Sequence, residues 1–184
     1  NTITSIKEYF PNLFVGVILY DLIPLISKEK YLGYEPLYNW YFEKIKFLNR
    51  ADLLFSISES SKSEAVNYLQ IESNKIINIS SAVDQSIFHE VPYDAELLTK
   101  LGISKPFIMH TSAFEERKNF EGLIAAFALL DVELRKQFQL VLVCKLTQNQ
   151  KDQLFLLGDK CGLSADDLIL TGFVDDDSLV KLYS

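Results

Sequence analysis

Short apolar runs alternate along this chain with stretches whose apolar residues recur at helical spacing, and the alternation occurs twice. Val15-Gly-Val-Ile-Leu-Tyr20 is nearly continuous in apolar character and is followed by Asp21 and Pro24. That pattern predicts a strand buried on both faces, as in a parallel sheet. Leu37, Tyr41, Ile45 and Leu48 then fall on one helical face, with Pro36 suited to the first turn. Asp52-Leu-Leu-Phe-Ser-Ile57 reads as a second strand and Lys75-Ile-Ile-Asn-Ile-Ser80 as a third. Between them Ser61-Lys-Ser-Glu64 has the capping-box form, which predicts a helix opening at Ser61 and running to about Leu69.

Residues 84–105 interrupt the pattern. Asp84, Pro92, Asp94 and Gly102 punctuate this stretch, which holds only a short helical segment at Ala95–Leu101. A domain junction is expected here, with residues 1–84 on one side, a linker at 85–105, and residues 106–184 on the other. The alternation then restarts. Pro106–Thr111 is a strand, and Asn119 can cap a helix whose face carries Phe120, Leu123, Ile124, Phe127 and Leu130. Gln139–Cys144 is a strand, and a helix from Gln150 to about Cys161 turns Leu154 and Leu157 inward. Leu168–Thr171 is a strand, and Asp177 can cap a last helix. Strands alternating with helices in this way imply two parallel α/β layers with right-handed crossovers.

Composition narrows the class. The 184 residues are 48% hydrophobic and 23% charged, which is globular. The net charge of −7 disfavours non-specific binding to nucleic acid or anionic lipid. Cys144 and Cys161 sit in apolar stretches and read as buried free thiols; no CxxC or His/Cys cluster calls for zinc. Two cysteines make no disulfide scaffold, so a cytoplasmic setting is expected. No apolar run reaches the ~18–20 residues of a membrane span. The opening Asn1-Thr-Ile-Thr-Ser5 has no leader pattern and no initiator Met, so the chain is expected to begin inside a longer protein.

Glu115-Glu-Arg-Lys-Asn119 carries the most chemistry. It follows a strand and opens a helix, and ligands of open α/β sheets bind outside the carboxyl ends of strands. A helix N-terminus attracts phosphate through its free N–H groups and dipole. Arg117 adds a planar fork able to grip two phosphate oxygens, and Lys118 a point charge. The residues alone leave two readings, a phosphate site or a solvated basic loop. His89 and His110 are isolated, and His110 reads as a packed strand residue. Asp175-Asp-Asp177 precedes a helix and is explained by acidic capping, not by a metal-binding Asp-x-Asp.

The stretch Phe107-Ile-Met-His-Thr-Ser-Ala-Phe-Glu-Glu-Arg-Lys-Asn-Phe-Glu-Gly-Leu-Ile-Ala-Ala-Phe-Ala-Leu-Leu130 resembles the start of the C-terminal domain in glycosyltransferase family 4, a group of retaining GT-B enzymes. Leu19-Tyr-Asp-Leu-Ile-Pro-Leu25 resembles the segment after a central strand in the N-terminal domain of its mannosyltransferase-like members. Ala51–Glu64 resembles the family's Ala-Asp…Ser-Glu step, and Ser81-Ala-Val-Asp84 the Asn-Gly-Val-Asp before its linker. The resemblance implies two Rossmann-like parallel-sheet halves of a GT-B fold, both incomplete. The first half would be the end of the acceptor-side domain and the second the start of the donor-side domain.

The resemblance also implies roles. Arg117 and Lys118 would contact the donor's diphosphate, and Ser112 would donate a hydrogen bond to it. Ser112-Ala113 stands where the family often has Gly-Gly, so the backbone approach differs. Asp21 is the catalytic candidate, orienting the acceptor hydroxyl or meeting the donor sugar; Tyr20 stands where many members have His. Ser58, Glu59 and Lys145 are candidates for lining the cleft. The implied partners are a nucleotide diphosphate sugar and a glycan or lipid-linked acceptor, with no cofactor, no metal and no nucleic acid. Membrane contact would be peripheral, through regions outside this chain. Family members continue into a segment with two spaced glutamates that hold the donor, so this chain alone is expected to show little transfer. The competing reading is a non-catalytic nucleotide- or phosphate-binding α/β module, or an interaction fragment.

Overall fold

The structure is a computed structural model and describes residues 6–184. The opening Asn1–Ser5, read above for a leader, lies outside the described residues. The chain divides into two compact units, one ending at Val83 and the other spanning Asp84–Ser184.

In the first unit β1 (Gly16–Leu19), β2 (Leu53–Ser56) and β3 (Ile76–Asn78) form a parallel sheet in that order. A short helix, α1 (Ile6–Tyr9), precedes it. Two single helical turns, α2 (Ile23–Ile26) and α3 (Lys28–Tyr31), lead into α4 (Glu35–Leu48), and α5 (Glu59–Leu69) joins β2 to β3. Leu19, Leu54 and Ile76 from the strands pack with Ile45 of α4 and Ala65 of α5. The apolar run of β1 is not buried on both faces as its composition suggests. It is an edge strand among the described residues, and Gly16 and Ile18 are exposed while Val17 and Leu19 face the core. Asp52 anchors the start of this strand, since its carboxylate accepts the Val15 N–H at 2.7 Å and pairs with Lys7. The Lys7 ammonium, then the Val15 amide, hold that carboxyl below the usual range.

In the second unit β4 (Phe107–Thr111), β5 (Gln139–Val143) and β6 (Leu168–Leu170) form another parallel sheet in that order. The helices are α6 (Ala95–Lys100), α7 (Phe120–Ala128), the short α8 (Val132–Arg135), α9 (Gln148–Lys160) and α10 (Asp176–Tyr183). All five residues of β5 are buried. The period of two sends Leu140 and Leu142 to one side, against Phe120, Ile124, Phe127 and Leu154. Val141 and Val143 go to the other, against Ile103 and Leu182. Each such large apolar side chain contributes about 1.5–3 kcal/mol when fully buried.

Two caps sit at other residues than the pattern suggests, and one helix starts earlier. Ser58, in extended backbone, caps α5 by accepting the Ser61 N–H at 3.1 Å. The overlapping Ser61-x-x-Glu64 box is not formed, because Ser61 and Glu64 turn inward to the loop after β1. Asp175, not Asp177, caps α10 by accepting the Ser178 N–H at 2.8 Å. Thr147 and Gln150 form a full capping box on α9, which therefore starts before Gln150. Of the two cysteines only Cys144 is buried, and burial pushes its thiol up; Cys161 is half-exposed beyond the last turn of α9.

Gln139 is the buried polar centre of the second unit. Its Oε1 accepts the N–H groups of Ser104 and Lys105 at 2.8 and 3.1 Å, and its Nε2 donates to the Asp166 carbonyl at 2.9 Å. One fully buried amide thus satisfies the backbone entering β4 and the backbone entering β6. Stranding a buried donor or acceptor costs about 1–3 kcal/mol. Gln139→Leu roughly keeps the volume and removes both polar ends, so we expect a loss of about 2–6 kcal/mol, summed over two stranded groups. Urea denaturation checks this; an unchanged midpoint would show that the loops find other partners.

Candidate functional site

The chemistry-bearing residues collect at the carboxyl ends of the two sheets, each unit having its own set. In the second unit Thr111 ends β4, and Ser112–Phe114 lead into a single 3₁₀ turn, Glu116–Lys118. Asn119 closes that turn in the left-handed region, at φ 50° and ψ 49°, where asparagine is among the few residues that settle readily. Its Oδ1 then accepts the Gly122 N–H at 3.0 Å and caps α7. A Cβ at Gly122 would collide with the Asn119 side chain, which would have to shift from its capping position. Asn119 thus joins the turn that carries Arg117 and Lys118 to the start of α7.

Arg117 is not an unpaired cation. Its Nε donates to Glu115 Oε2 at 2.7 Å, with both side chains about 40% exposed. The pair holds the guanidinium through its Nε. Lys118 is half-buried beside it. Lys145 follows β5, the neighbouring strand in the sheet, and is exposed at the same edge. The structure thus places Ser112, Arg117 and Lys118 after β4 and Lys145 after β5, at the carboxyl end of one sheet.

Ser112 shows a contact that the sequence reading missed. Its Oγ lies 3.1 Å from His110 Nε2 and 3.1 Å from the Ala113 carbonyl oxygen. The His110 ring stands edge-on to Phe120, 5.2 Å between centroids, and Phe120 in turn packs on Phe114. His110 is packed, as its place in a strand suggests, but it also makes a polar contact. The signal was present as spacing, because residues two apart at a strand end share a face.

In the first unit Asp21 follows β1 and is exposed. Its Oδ1 accepts the Ile23 N–H at 3.0 Å, closing a tight turn ahead of α2. Two residues of α5 hold the same loop: Ser61 Oγ donates to the Tyr20 carbonyl at 2.6 Å, and Glu64 Oε2 accepts the Leu22 N–H at 3.2 Å. Burial pushes the Tyr41 phenol up, and the charges of Asp21 and Glu64 add to it. Ser58 is occupied by its capping role, and Glu59 Oε1 accepts from Asn78 Nδ2 at 2.8 Å, tying α5 to the end of β3. Asp21 and Glu59 share the carboxyl edge of this sheet. Among the described residues no three His, Cys, Asp or Glu side chains converge to hold a metal ion, and no helix is long and apolar enough to cross a membrane.

Two parallel α/β halves of this kind are those of GT-B glycosyltransferases. Among solved structures the chain is similar to HepE from Anabaena in complex with UDP and glucose, with a TM-score of 0.67 at 19% identity over 95% of this chain and 46% of that one. It is also similar to WaaG, a glycosyltransferase involved in lipopolysaccharide biosynthesis, with a TM-score of 0.61 at 16% identity over 96% and 52% of the two chains. These likenesses carry the fold. In sequence the chain is 39% identical over 171 residues to the serotype-specific mannosyltransferase WbdA of Escherichia coli, covering 91% of this chain and 21% of that protein. The chain therefore spans about a fifth of the length of that relative. No protein-family model matches it.

The cap makes a direct prediction. Asn119→Ala removes the side-chain acceptor and strains the left-handed residue, and Gly122→Ala drives a methyl into Asn119. Each should destabilise by about 1–2 kcal/mol, the usual worth of an N-cap. The double variant should cost less than the sum, because the two lesions break one contact. Thermal melts of the three variants check this, and strict additivity would show that Gly122 does not serve the cap.

Proposed function

We propose that this chain forms part of a glycosyltransferase that moves a sugar from a nucleotide diphosphate sugar to a hydroxyl of a growing glycan. The observation that carries the reading is the Glu115–Asn119 turn, where a rigid cap presents two cations at the carboxyl edge of a parallel sheet. Support comes from the 39% identity to a mannosyltransferase, which favours mannose as the sugar. The solved neighbour in complex with UDP and glucose favours a nucleotide sugar as donor. We further propose transfer with retained anomeric configuration, as in the family this sequence resembles.

The mechanism is electrostatic. As the glycosidic bond breaks, the leaving nucleotide diphosphate gains negative charge. Arg117, Lys118 and the positive end of α7 stabilise that charge without having to reorganise, since Asn119 and Glu115 already hold the turn. Ser112 adds a neutral donor, and Lys145 a further cation at the neighbouring strand. Asp21, held in its turn by the Ile23 amide, is assigned the acceptor side, where a carboxylate orients a hydroxyl. Glu59 and Ser58 contribute by bracing that edge of the first sheet.

Arg117→Ala and Lys118→Ala test the reading. A surface substitution outside a binding site shifts stability by about 0.5 kcal/mol at most. Losing a charge-assisted contact to phosphate costs about 1.5–3 kcal/mol, which is roughly tenfold to over a hundredfold in rate if felt in the transition state. We expect that drop in kcat/KM for acceptor-dependent release of nucleoside diphosphate by the full-length protein, with the thermal midpoint nearly unchanged. Near-normal kcat/KM in both variants would return the pair to a solvated loop. Diphosphate binding that depends on Arg117 without any transfer would favour the non-catalytic module.

A further inference from the structure

We propose that His110 is a positioning residue for the diphosphate site, fixing the Ser112 hydroxyl so that its single proton points to a phosphate oxygen. The inference rests on the assignment of the Ser112–Lys118 segment to a nucleoside diphosphate. It goes beyond that assignment by adding a residue and a proton arrangement.

A serine hydroxyl has one proton to donate and two lone pairs to accept with. Ser112 Oγ has two neighbours at 3.1 Å: the Ala113 carbonyl oxygen, which can only accept, and His110 Nε2. Both contacts can be hydrogen bonds at once only if Ser112 donates to the carbonyl and Nε2 carries a proton and donates to Ser112. In that arrangement the serine proton rests on a carbonyl of an exposed residue, Ala113, which water can satisfy. An incoming phosphate oxygen can take the proton with little loss, while the His110 bond keeps Oγ in place. If Nε2 were bare it would accept the serine proton itself, and Ser112 could offer a phosphate only lone pairs. The edge-on contact with Phe120, itself buried at the start of α7, holds the imidazole where Nε2 reaches Ser112. His110 is thus clamped between the helix that carries the cap and the serine that follows the strand.

The test uses the Kd of a nucleoside diphosphate, measured by calorimetry on the protein, with Ser112→Ala, His110→Phe, His110→Gln and the Ser112→Ala/His110→Phe pair. His110→Phe keeps an aromatic ring against Phe120 and removes the N–H. His110→Gln supplies an amide N–H at about the reach of Nε2. We expect Ser112→Ala and His110→Phe each to weaken binding about tenfold or more, the pair to be no weaker than either alone, and His110→Gln to bind within about twofold of wild type, on the worth of one hydrogen bond to a charged oxygen. Long-range proton–nitrogen correlation on the wild-type protein, whose only histidines are His89 and His110, should show Nε2 of His110 protonated with the diphosphate bound. A bare Nε2 in the complex would overturn the proposal even if His110→Phe failed to fold. So would His110→Phe and Ser112→Ala effects that simply multiply, or a wild-type Kd in His110→Phe while Arg117→Ala still weakens binding. Loss of the underlying site assignment looks different: neither Ser112→Ala nor Arg117→Ala would change the Kd, or no binding would occur, and the proposal would fall with it.

Discussion

The left-handed cap at Asn119 is the constraint on which the candidate site depends. A chain leaving a strand must turn sharply before a helix can pack back on the sheet, and here the turn is a 3₁₀ loop closed by one residue at positive φ. Asparagine tolerates that conformation and also supplies the oxygen that caps the helix it starts. The absence of a Cβ at Gly122 leaves room for the side chain to do so. With that cap formed, α7 lays Phe120, Ile124 and Phe127 onto Leu140 and Leu142, and the same event orients Arg117 and Lys118. Folding energy and site geometry therefore share one contact.

Polar side chains perform similar work at the other loop ends. Gln139 joins the approaches to β4 and β6, Asp52 joins the approach to β1 to β2, and Ser61 and Glu64 hold the loop that bears Asp21. At the far end of the second unit Lys181 donates to Asp94 Oδ2 at 2.8 Å, while Asp94 Oδ1 caps α6. That ion pair holds the Asp94 carboxyl low and pushes Lys181 up. The sheets supply burial, and these few side chains decide where the connecting loops lie.

Much of this is legible in the sequence. The strands were visible because parallel-sheet strands are nearly continuous apolar runs, and Asn119 was visible as a cap because it stands just ahead of a periodic apolar face. The caps of α5 and α10 were displaced because Ser58-x-x-Ser61 and Ser61-x-x-Glu64 overlap, as do three consecutive aspartates, and local spacing does not rank them. For α5 the ranking is tertiary: Ser61 donates to the Tyr20 carbonyl, forty-one residues away. The Glu115–Arg117 pair and the His110–Ser112 contact were written in i, i+2 spacing, but that spacing is common and acquires meaning only once the backbone turns. The exposed face of β1 was illegible for a related reason, since composition records apolar character and not a strand's place at a sheet edge.

On the proposed function, the turn between β4 and α7 binds the diphosphate of a sugar donor. The most direct measurement is amide chemical-shift mapping on the isotope-labelled protein, titrated in parallel with a nucleoside diphosphate and with the matching nucleoside. The diphosphate should shift the amides from Ser112 to Gly122 most strongly, and the nucleoside should leave them largely in place. Equal shifts by the two ligands, or a diphosphate response confined to other segments, would contradict it.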